Sequence, residues 1–311
     1  MRTALQSSLH LGFAAFLCRH FPETGGHYFD IIAFMIFDTH CHGYWHGLAD
    51  RQEEVRRNMN AAGVVRSMHV GTSLETSLKA LKLARDWGED TWCSIGFHPS
   101  ACQDLPRNSA TNYAEQLESI ILANRDKVVA VGESGLDYYH VTAGRKDEQK
   151  RTQQEFFRAQ AELSRLLHLP LIIHTRDAAE DTIALLKESG ARQAVIHCFS
   201  ENAEFARRLM TWSDGIYFSF SGILTYKRSL AVQEAARAIP LEQILVETDA
   251  PFLVPQDMRD AFPINEPALT RSVMEYLKTL RTEPGETLEQ AVWQNSNRFF
   301  GITEFPARNK A

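Results

Sequence analysis

Short apolar segments alternate with amphipathic segments along most of the chain, and each pair predicts a β-strand followed by an α-helix. The apolar segments show no alternation of polar and apolar residues, so they are typical of strands covered on both faces. The predicted strands are residues 31–37, 64–70, 91–97, 128–131, 169–173, 194–196, 215–220 and 244–246.

Amphipathic segments between these strands predict helices, and Ser73 is placed to cap the second of them. Strand-then-helix recurs about eight times, which predicts an α/β fold, a single-domain (β/α)8 TIM barrel. A doubly wound open sheet is the alternative, and it fits less well because no Gly-x-Gly-x-x-Gly segment follows an early strand. The predicted helices are residues 50–62, 74–87, 113–124, 147–167, 177–189, 202–210, 230–238, 268–280 and 286–294.

The barrel is predicted to cover residues 35–301, with residues 302–311 as a C-terminal tail. Residues 1–34 are interpreted as an N-terminal extension outside the core. Within them, residues 11–18 superficially resemble a secretory signal, but Arg19-His20 interrupts the segment and no small-x-small cleavage site follows. A genuine targeting segment remains the alternative.

Composition narrows the class of protein. Hydrophobic residues make up 44% of the 311 and charged residues 23%, as in soluble globular proteins. A net charge of −6 argues against coating nucleic acid through bulk charge, but not against gripping a strand end through a few cations. No apolar segment reaches the roughly 20 residues of a membrane span. Five cysteines without a Cys-x-x-Cys motif favour a reducing compartment, so we expect a cytoplasmic protein. No obligatory protein partner is evident.

Ionisable residues recur where the predicted strands end. Asp38, His40 and His42 alternate, so in an extended strand their side chains share one face. Because the carboxyl ends of barrel strands form one rim, the residues at the later strand ends should meet the first three there. These later residues are His98, Glu133, His174, His197 and Asp249.

Taken singly, each residue has a structural explanation, such as a hydrogen-bonded histidine or a carboxylate that caps a helix or turn. Burying so many ionisable groups together is costly unless they share a cation. Mixed histidine and carboxylate ligands suit zinc, manganese or a similar divalent metal rather than calcium. Six candidate ligands exceed the needs of one tetrahedral ion, which favours a two-metal site with a bridging carboxylate.

Six motifs that contain these residues resemble, in order, those of the TatD family, which comprises metal-dependent hydrolases and deoxyribonucleases of the amidohydrolase superfamily with TIM-barrel folds. The motifs are Asp38-x-His40-x-His42, Gly96-x-His98-Pro99, Gly132-Glu133-x-Gly135-Leu136-Asp137-Tyr138, Ile173-His174-Thr175-Arg176, His197-Cys198-Phe199-Ser200 and Glu247-Thr248-Asp249-Ala250-Pro251.

The resemblance implies a role for each motif. It implies two divalent ions, for which magnesium, manganese and zinc are the candidates, and metal-dependent cleavage of DNA, often from the 3′ end of a strand. His98 would lie near the scissile phosphate, and Asp249 would act as general base. The implied ligands are His40, His42, Glu133 and Asp249 for one ion, with Glu133 bridging to a second ion held by His174 and His197.

Substrate contacts are less specific in the sequence. Arg176 is a candidate for a phosphate contact, although a surface ion pair with Asp177 or Glu180 is equally plausible. Tyr138 and Tyr139 could stack on bases or pack the loop after the fourth strand.

Two departures from the family pattern reduce positive charge at the rim. Glu201 follows Ser200 where the family usually has Gly. The family also commonly has a basic residue shortly before Asn265-Glu266-Pro267, whereas here the nearest upstream cation is Arg259. Tight binding of a polyanion is therefore less assured, while the metal ligands are unaffected.

Two other functions remain open. An amidohydrolase or lactonase could use a similar site on C–N or C–O bonds, but many such dinuclear relatives have a modified lysine where this chain has Glu133. A non-catalytic binding barrel is disfavoured by the complete ligand set. The sequence does not decide the metal, DNA against RNA, strand polarity or oligomeric state.

Overall fold

Eight parallel strands pair side by side in chain order, from β1 to β8, in the computed structural model. It describes residues 35–106 and 108–303. The strands are β1 Ile36–Cys41, β2 Val64–Val70, β3 Thr91–Ile95, β4 Val128–Asp137, β5 Leu171–Arg176, β6 Ala194–Ile196, β7 Ile216–Phe220 and β8 Ile244–Val246.

The first and last strands meet, which closes the sheet. Cys41 forms a parallel bridge with Ala250. The His42 amide donates to the Ala250 carbonyl at 2.7 Å, and the Asp249 amide donates to the His40 carbonyl at 2.9 Å. The closure confirms the predicted single-domain (β/α)8 barrel and excludes the doubly wound alternative.

Helices follow the strands and cover the outside of the barrel. Ser73 caps the second helix as predicted, since its Oγ accepts from the Thr76 amide at 3.2 Å. The helices are α1 Gln52–Ala61, α2 Leu74–Trp87, α3 Pro99–Cys102, α4 Ala110–Ala123, α5 Lys146–Leu167, α6 Ala179–Ser189, α7 Ala203–Trp212, α8 Leu230–Ala238, α9 Thr270–Leu280 and α10 Gly285–Phe300. None of these helices is long and apolar enough to cross a membrane.

The barrel interior is filled at its base. One buried cluster takes side chains from seven strands, including Phe37 of β1, Ile172 of β5 and Leu245 of β8. Residues from so many strands can meet only inside the barrel. Phe299 and Phe300, at the end of α10, belong to the same cluster, so the polar groups must gather towards the other end.

Some element bounds differ from the predicted ones. Strand β4 continues to Asp137 rather than ending at residue 131, so Glu133 lies within the strand. The short helix α3 was not predicted. Residues 31–34 of the first predicted strand lie outside the described residues, as do the extension at 1–34 and tail residues 304–311. The predicted domain bounds therefore stay predictions.

Candidate metal centre

All six predicted metal ligands converge at the C-terminal mouth of the barrel. Backbone alternation turns inward the ligands that lie within strands, and the segments just after β1, β6 and β8 add the others. The side chain of Glu133 is only 4% exposed and that of Asp249 14% exposed. The contributing residues are His40 in β1, His42 just after it, Glu133 in β4, His174 in β5, His197 after β6 and Asp249 after β8.

Glu133 lies at the centre of the cluster, with two histidines on each side of its carboxylate. Its Oε2 lies 3.5 Å from His40 Nε2 and 3.9 Å from His42 Nε2. Its Oε1 lies 2.8 Å from His197 Nε2 and 3.2 Å from His174 Nδ1. Each carboxylate oxygen therefore faces its own pair of imidazoles.

Asp249 belongs to the first of these two pairs. Its Oδ1 lies 3.4 Å from His42 Nε2 and 3.7 Å from His40 Nε2. His40, His42 and Glu133 form one set of donor atoms within 4.8 Å of one another, and His98, Glu133 and His174 form another. We call His40, His42 and Asp249 the β1 group, and His174 and His197 the β5 group; Glu133 lies between the two groups.

The hydrogen bonds on the far side of the rings show that these donors suit cations. The Val70 carbonyl lies 2.8 Å from His42 Nδ1, so this nitrogen carries the proton and Nε2 of a neutral ring presents a lone pair. Glu247 Oε1 lies 3.3 Å from His197 Nδ1, with the same consequence for His197 Nε2. The imidazole lone pairs and the carboxylate oxygens of each group point towards the same space. Positive charge there stabilises this arrangement, and divalent metal ions supply it.

The carboxylates of the centre are ionised. Burial opposes the charge on Glu133, but the contacts with the surrounding imidazoles, first of them His197, outweigh burial and hold its pKa well below the usual value. Burial likewise opposes the charge on Asp249, and the contact with His42 lowers its pKa overall. Both side chains are therefore anionic at neutral pH and available as ligands.

Two acidic residues that were not predicted as site residues hold the histidines from behind. Glu247 accepts from the Cys198 amide at 2.6 Å besides its contact with His197. Asp137 Oδ2 lies 3.4 Å from His174 Nε2 and 2.6 Å from His140 Nδ1. A sequence signal for both exists, because each lies an even number of residues from a ligand, two before Asp249 and four after Glu133.

Asp38 shares the inward face of β1 but does not join the ligands. Its oxygens accept from the Thr248 amide at 2.8 Å and from Thr248 Oγ1 at 2.7 Å. Burial raises its pKa to about 8. It therefore ties β1 to the segment after β8 deeper in the barrel.

His98 lies beside the centre as a neutral hydrogen-bond donor. Its Nδ1 accepts from the Ser100 amide at 3.1 Å at the start of α3, so Nε2 carries the proton. This Nε2 lies 3.5 Å from Glu133 Oε1. Burial lowers the pKa of His98 to about 3, so the ring is uncharged at neutral pH.

The candidate substrate contacts differ in what they touch. Arg176 lies 3.9 Å from the centroid of the exposed Tyr139 ring, and among the described residues it forms no ion pair. Glu180, its alternative partner, binds Arg208 instead at 2.8 Å. Tyr138 is held by residues of the two neighbouring helices. Its hydroxyl donates to Asp181 of α6 at 2.6 Å and accepts from Gln154 of α5.

The structure also shows the surroundings of Arg259 and Glu201, the residues at the two differences from the family pattern. Arg259 lies 4.3 Å from the centroid of the Tyr226 ring. Glu201 is partly buried, and burial together with Asp177 raises its pKa. The Glu201 carboxyl is therefore harder to ionise than that of a free glutamate.

Comparisons with known proteins agree with this geometry. The sequence profile of the family described as TatD related DNase matches residues 37–301. The uncharacterized metal-dependent hydrolase YabD of Bacillus subtilis is 35% identical over 270 residues, which cover 86% of this chain and all of YabD. YcfH of Escherichia coli, also named an uncharacterized metal-dependent hydrolase, is 36% identical over 86% of this chain and 96% of its own length.

A solved structure has the same architecture. The crystal structure of YJJV, a TatD homologue from Escherichia coli, superposes with a TM-score of 0.77 and 28% identity, covering 87% of this chain and 100% of YJJV. Since the profile matches residues 37–301 and both relatives are at least 35% identical over 86% of this chain, the chain belongs to the TatD-related DNase family of metal-dependent hydrolases.

Proposed function

We propose that this protein hydrolyses phosphodiester bonds of DNA, removing nucleotides from the 3′ end of a single strand with two divalent metal ions. The observation that carries the proposal is the orientation of the Glu133 carboxylate, whose Oε1 and Oε2 face different pairs of histidines. A carboxylate with one oxygen towards each ligand group is suited to bridge two ions. The family name, TatD related DNase, supports the choice of substrate.

In this proposal the β1 group and Glu133 would hold one ion, and the β5 group and Glu133 would hold the other. Magnesium, manganese and zinc are the candidates, and the four imidazoles favour manganese or zinc. Divalent ions bound here supply Lewis acidity that activates water at neutral pH and offsets negative charge on the phosphoryl group.

Asp249 is the general base. It is ionised, and its side chain is 14% exposed against 4% for Glu133, so water reaches Asp249 more readily. It takes the proton of the attacking water as the new P–O bond forms; the P–O bond to the leaving oxygen breaks, and that oxygen takes a proton from solvent. His98 Nε2–H donates a hydrogen bond to a phosphate oxygen, and its neutral state persists across the physiological pH range.

Arg176 supplies a positive charge farther out. Because the described residues give it no anionic partner, its guanidinium is available to the phosphate of a neighbouring nucleotide. Cation–π contact with Tyr139 holds the guanidinium in place while leaving its N–H donors free.

Incubation of the purified protein with 3′- and 5′-labelled single strands and a panel of divalent metals tests the proposal. We expect stepwise shortening from the 3′ end, loss of activity on chelation and recovery with manganese, magnesium or zinc. Asp249→Asn serves as the matched inactive variant. Rapid cleavage of simple lactones or cyclic amides, with every oligonucleotide left intact, would replace this proposal by the amidohydrolase alternative.

A further inference from the structure

Exposed aromatic side chains are concentrated at the mouth of the barrel. In the described part of the chain, the large hydrophobic side chains that are exposed are three aromatics and four leucines. The leucines all lie on helices. The aromatics, Trp45, Tyr139 and Phe252, lie in the segments that follow β1, β4 and β8, where the metal ligands are.

Trp45 and Phe252 form a pair beside the β1 group. Their ring centroids are 5.7 Å apart and the ring planes make an angle of 70°. The His42 ring lies 6.1 Å from Trp45 and 6.2 Å from Phe252. We call this pair the aromatic corner, because its two nearly perpendicular rings border one space next to the metal centre.

Both members of the corner are fixed to metal ligands through the backbone. The Trp45 amide donates to the His42 carbonyl at 2.8 Å, and the Phe252 amide donates to the Asp249 carbonyl at 2.9 Å. Asn265 Nδ2 also donates to the Phe252 carbonyl at 2.7 Å. The corner therefore keeps its position relative to the β1 group, as a substrate-binding surface must.

Much of each side chain remains open to solvent, 39% of Trp45 and 44% of Phe252. Leaving two neighbouring aromatic rings exposed at a ligand-lined mouth is unfavourable unless something planar and apolar covers them. The net charge of −6 means that bulk electrostatic attraction cannot hold a polyanion here. Stacking is the interaction that adds affinity without adding positive charge.

We propose that the aromatic corner stacks on the nucleobase of the nucleotide whose phosphate lies at the metal centre. This inference rests on the proposed nuclease function and specifies its substrate: a strand end that bears an intact base. Because every base has a π face, the corner accepts all four bases and discriminates against an abasic end. Tyr139 and Arg176 lie at the ends of β4 and β5, across the barrel from β1 and β8, and are placed to receive a neighbouring nucleotide.

Two single-stranded substrates test the corner: one with a normal terminal nucleotide and one with an abasic terminal nucleotide. For Trp45→Ala and Phe252→Ala we expect kcat/KM to fall about 5- to 150-fold on the normal end, the range for loss of one stacked base. We expect no change on the abasic end. Trp45→Phe should retain most of the activity, and Leu166→Ala, an exposed leucine of α5, should match the wild type on both substrates.

A binding measurement separates the corner from turnover. With manganese present, the wild-type protein should bind a nucleoside monophosphate at least fivefold more tightly than ribose 5-phosphate, and Trp45→Ala should remove this difference. Melting temperature and metal content, measured for each variant, identify any loss of binding that is caused by misfolding. If Trp45→Ala misfolds, Trp45→Phe is compared with the wild type instead.

The outcomes distinguish this inference from the function on which it rests. If the wild-type protein cleaves neither oligonucleotide, the proposed function fails and the corner falls with it. If it cleaves both and the alanine variants lose activity equally on the two ends, only the corner is overturned. Alanine variants that equal the wild type on the normal end overturn it as well.

Discussion

Glu247 lies behind His197, with its Oε1 3.3 Å from His197 Nδ1 and also bound to the Cys198 amide. The other nitrogen of the same ring lies 2.8 Å from Glu133 Oε1. Glu247 therefore sets both the tautomer and the rotation of a ring that points at the metal centre. Such carboxylate–histidine pairs make the imidazole a stronger metal ligand.

Glu247→Gln should accordingly weaken metal binding roughly 10- to 100-fold, because the amide orients the ring without donating negative charge. The affinity is measured by adding metal back to protein from which a chelator has removed it. The readout is the metal concentration that gives half-maximal activity. Glu162→Gln on the exposed face of α5 is the control and should behave as the wild type. Unchanged metal affinity in Glu247→Gln would show that the contact serves packing alone.

The sequence predicts the barrel and the convergence of the six candidate ligands because both depend on local patterns. Apolar segments that end in histidine or carboxylate place these residues at strand ends, and barrel topology brings strand ends together. Period-2 alternation also puts Asp38, Asp137 and Glu247 on the inward face. The alternation does not show how far along the barrel axis each side chain lies. It therefore cannot distinguish a metal ligand from Asp38, which binds Thr248, or from Glu247 and Asp137, which contact the histidine rings.

The parts that sequence reasoning missed depend on contacts between distant segments. Strand β4 runs to Asp137 because Ser134–Asp137 pair with β5, a partner that local propensity does not reveal. Trp45 and Phe252 are 207 positions apart and meet only because β8 pairs with β1. Tyr138 and Arg176 looked alike as substrate contacts, and only the Asp181 hydrogen bond distinguishes them.

Removal of residues 1–34 should leave stability and metal-dependent activity unchanged. The family profile begins at residue 37, and the first described strand starts at Ile36, whose amide donates to the Gly63 carbonyl at 2.9 Å. Within the described residues, the hydrogen bonds of β1 to its neighbours begin at Ile36. Melting temperature and turnover of the truncated protein provide the check, and a large loss of either would show that the extension packs as part of the domain.

Glu266 should make the folded protein less stable as pH rises from about 5 to 7. Its side chain is 1% exposed, and burial raises its pKa to about 7, although Asn58 donates to it at 2.7 Å and Arg51 lies 3.7 Å away. In the unfolded chain this carboxyl loses its proton near pH 4.3. Between these values the folded state binds the extra proton, so stability falls as pH rises.

Glu266→Gln removes this titration while keeping the hydrogen-bond geometry. The difference in free energy of unfolding between the variant and the wild type should therefore shift in favour of the variant by about 3 kcal/mol from pH 4 to pH 8. Urea denaturation at fixed metal concentration measures both proteins, and taking the difference cancels the pH dependence that they share. Parallel pH profiles would contradict the prediction.

Glu133→Ala and His197→Ala should differ in how much metal they lose, because Glu133 faces both ligand groups and His197 faces one. Without His197, the β1 group keeps His40, His42 and Asp249 and should retain its ion. Without Glu133, a negative charge disappears from between two dications that lie about 3.5–4 Å apart in such sites, and their repulsion is unscreened. Metal content after dialysis should thus fall further for Glu133→Ala, with activity lost in both. Elemental analysis of the two variants beside Leu166→Ala measures this, and equal losses, or full occupancy without Glu133, would assign the bridge to another residue.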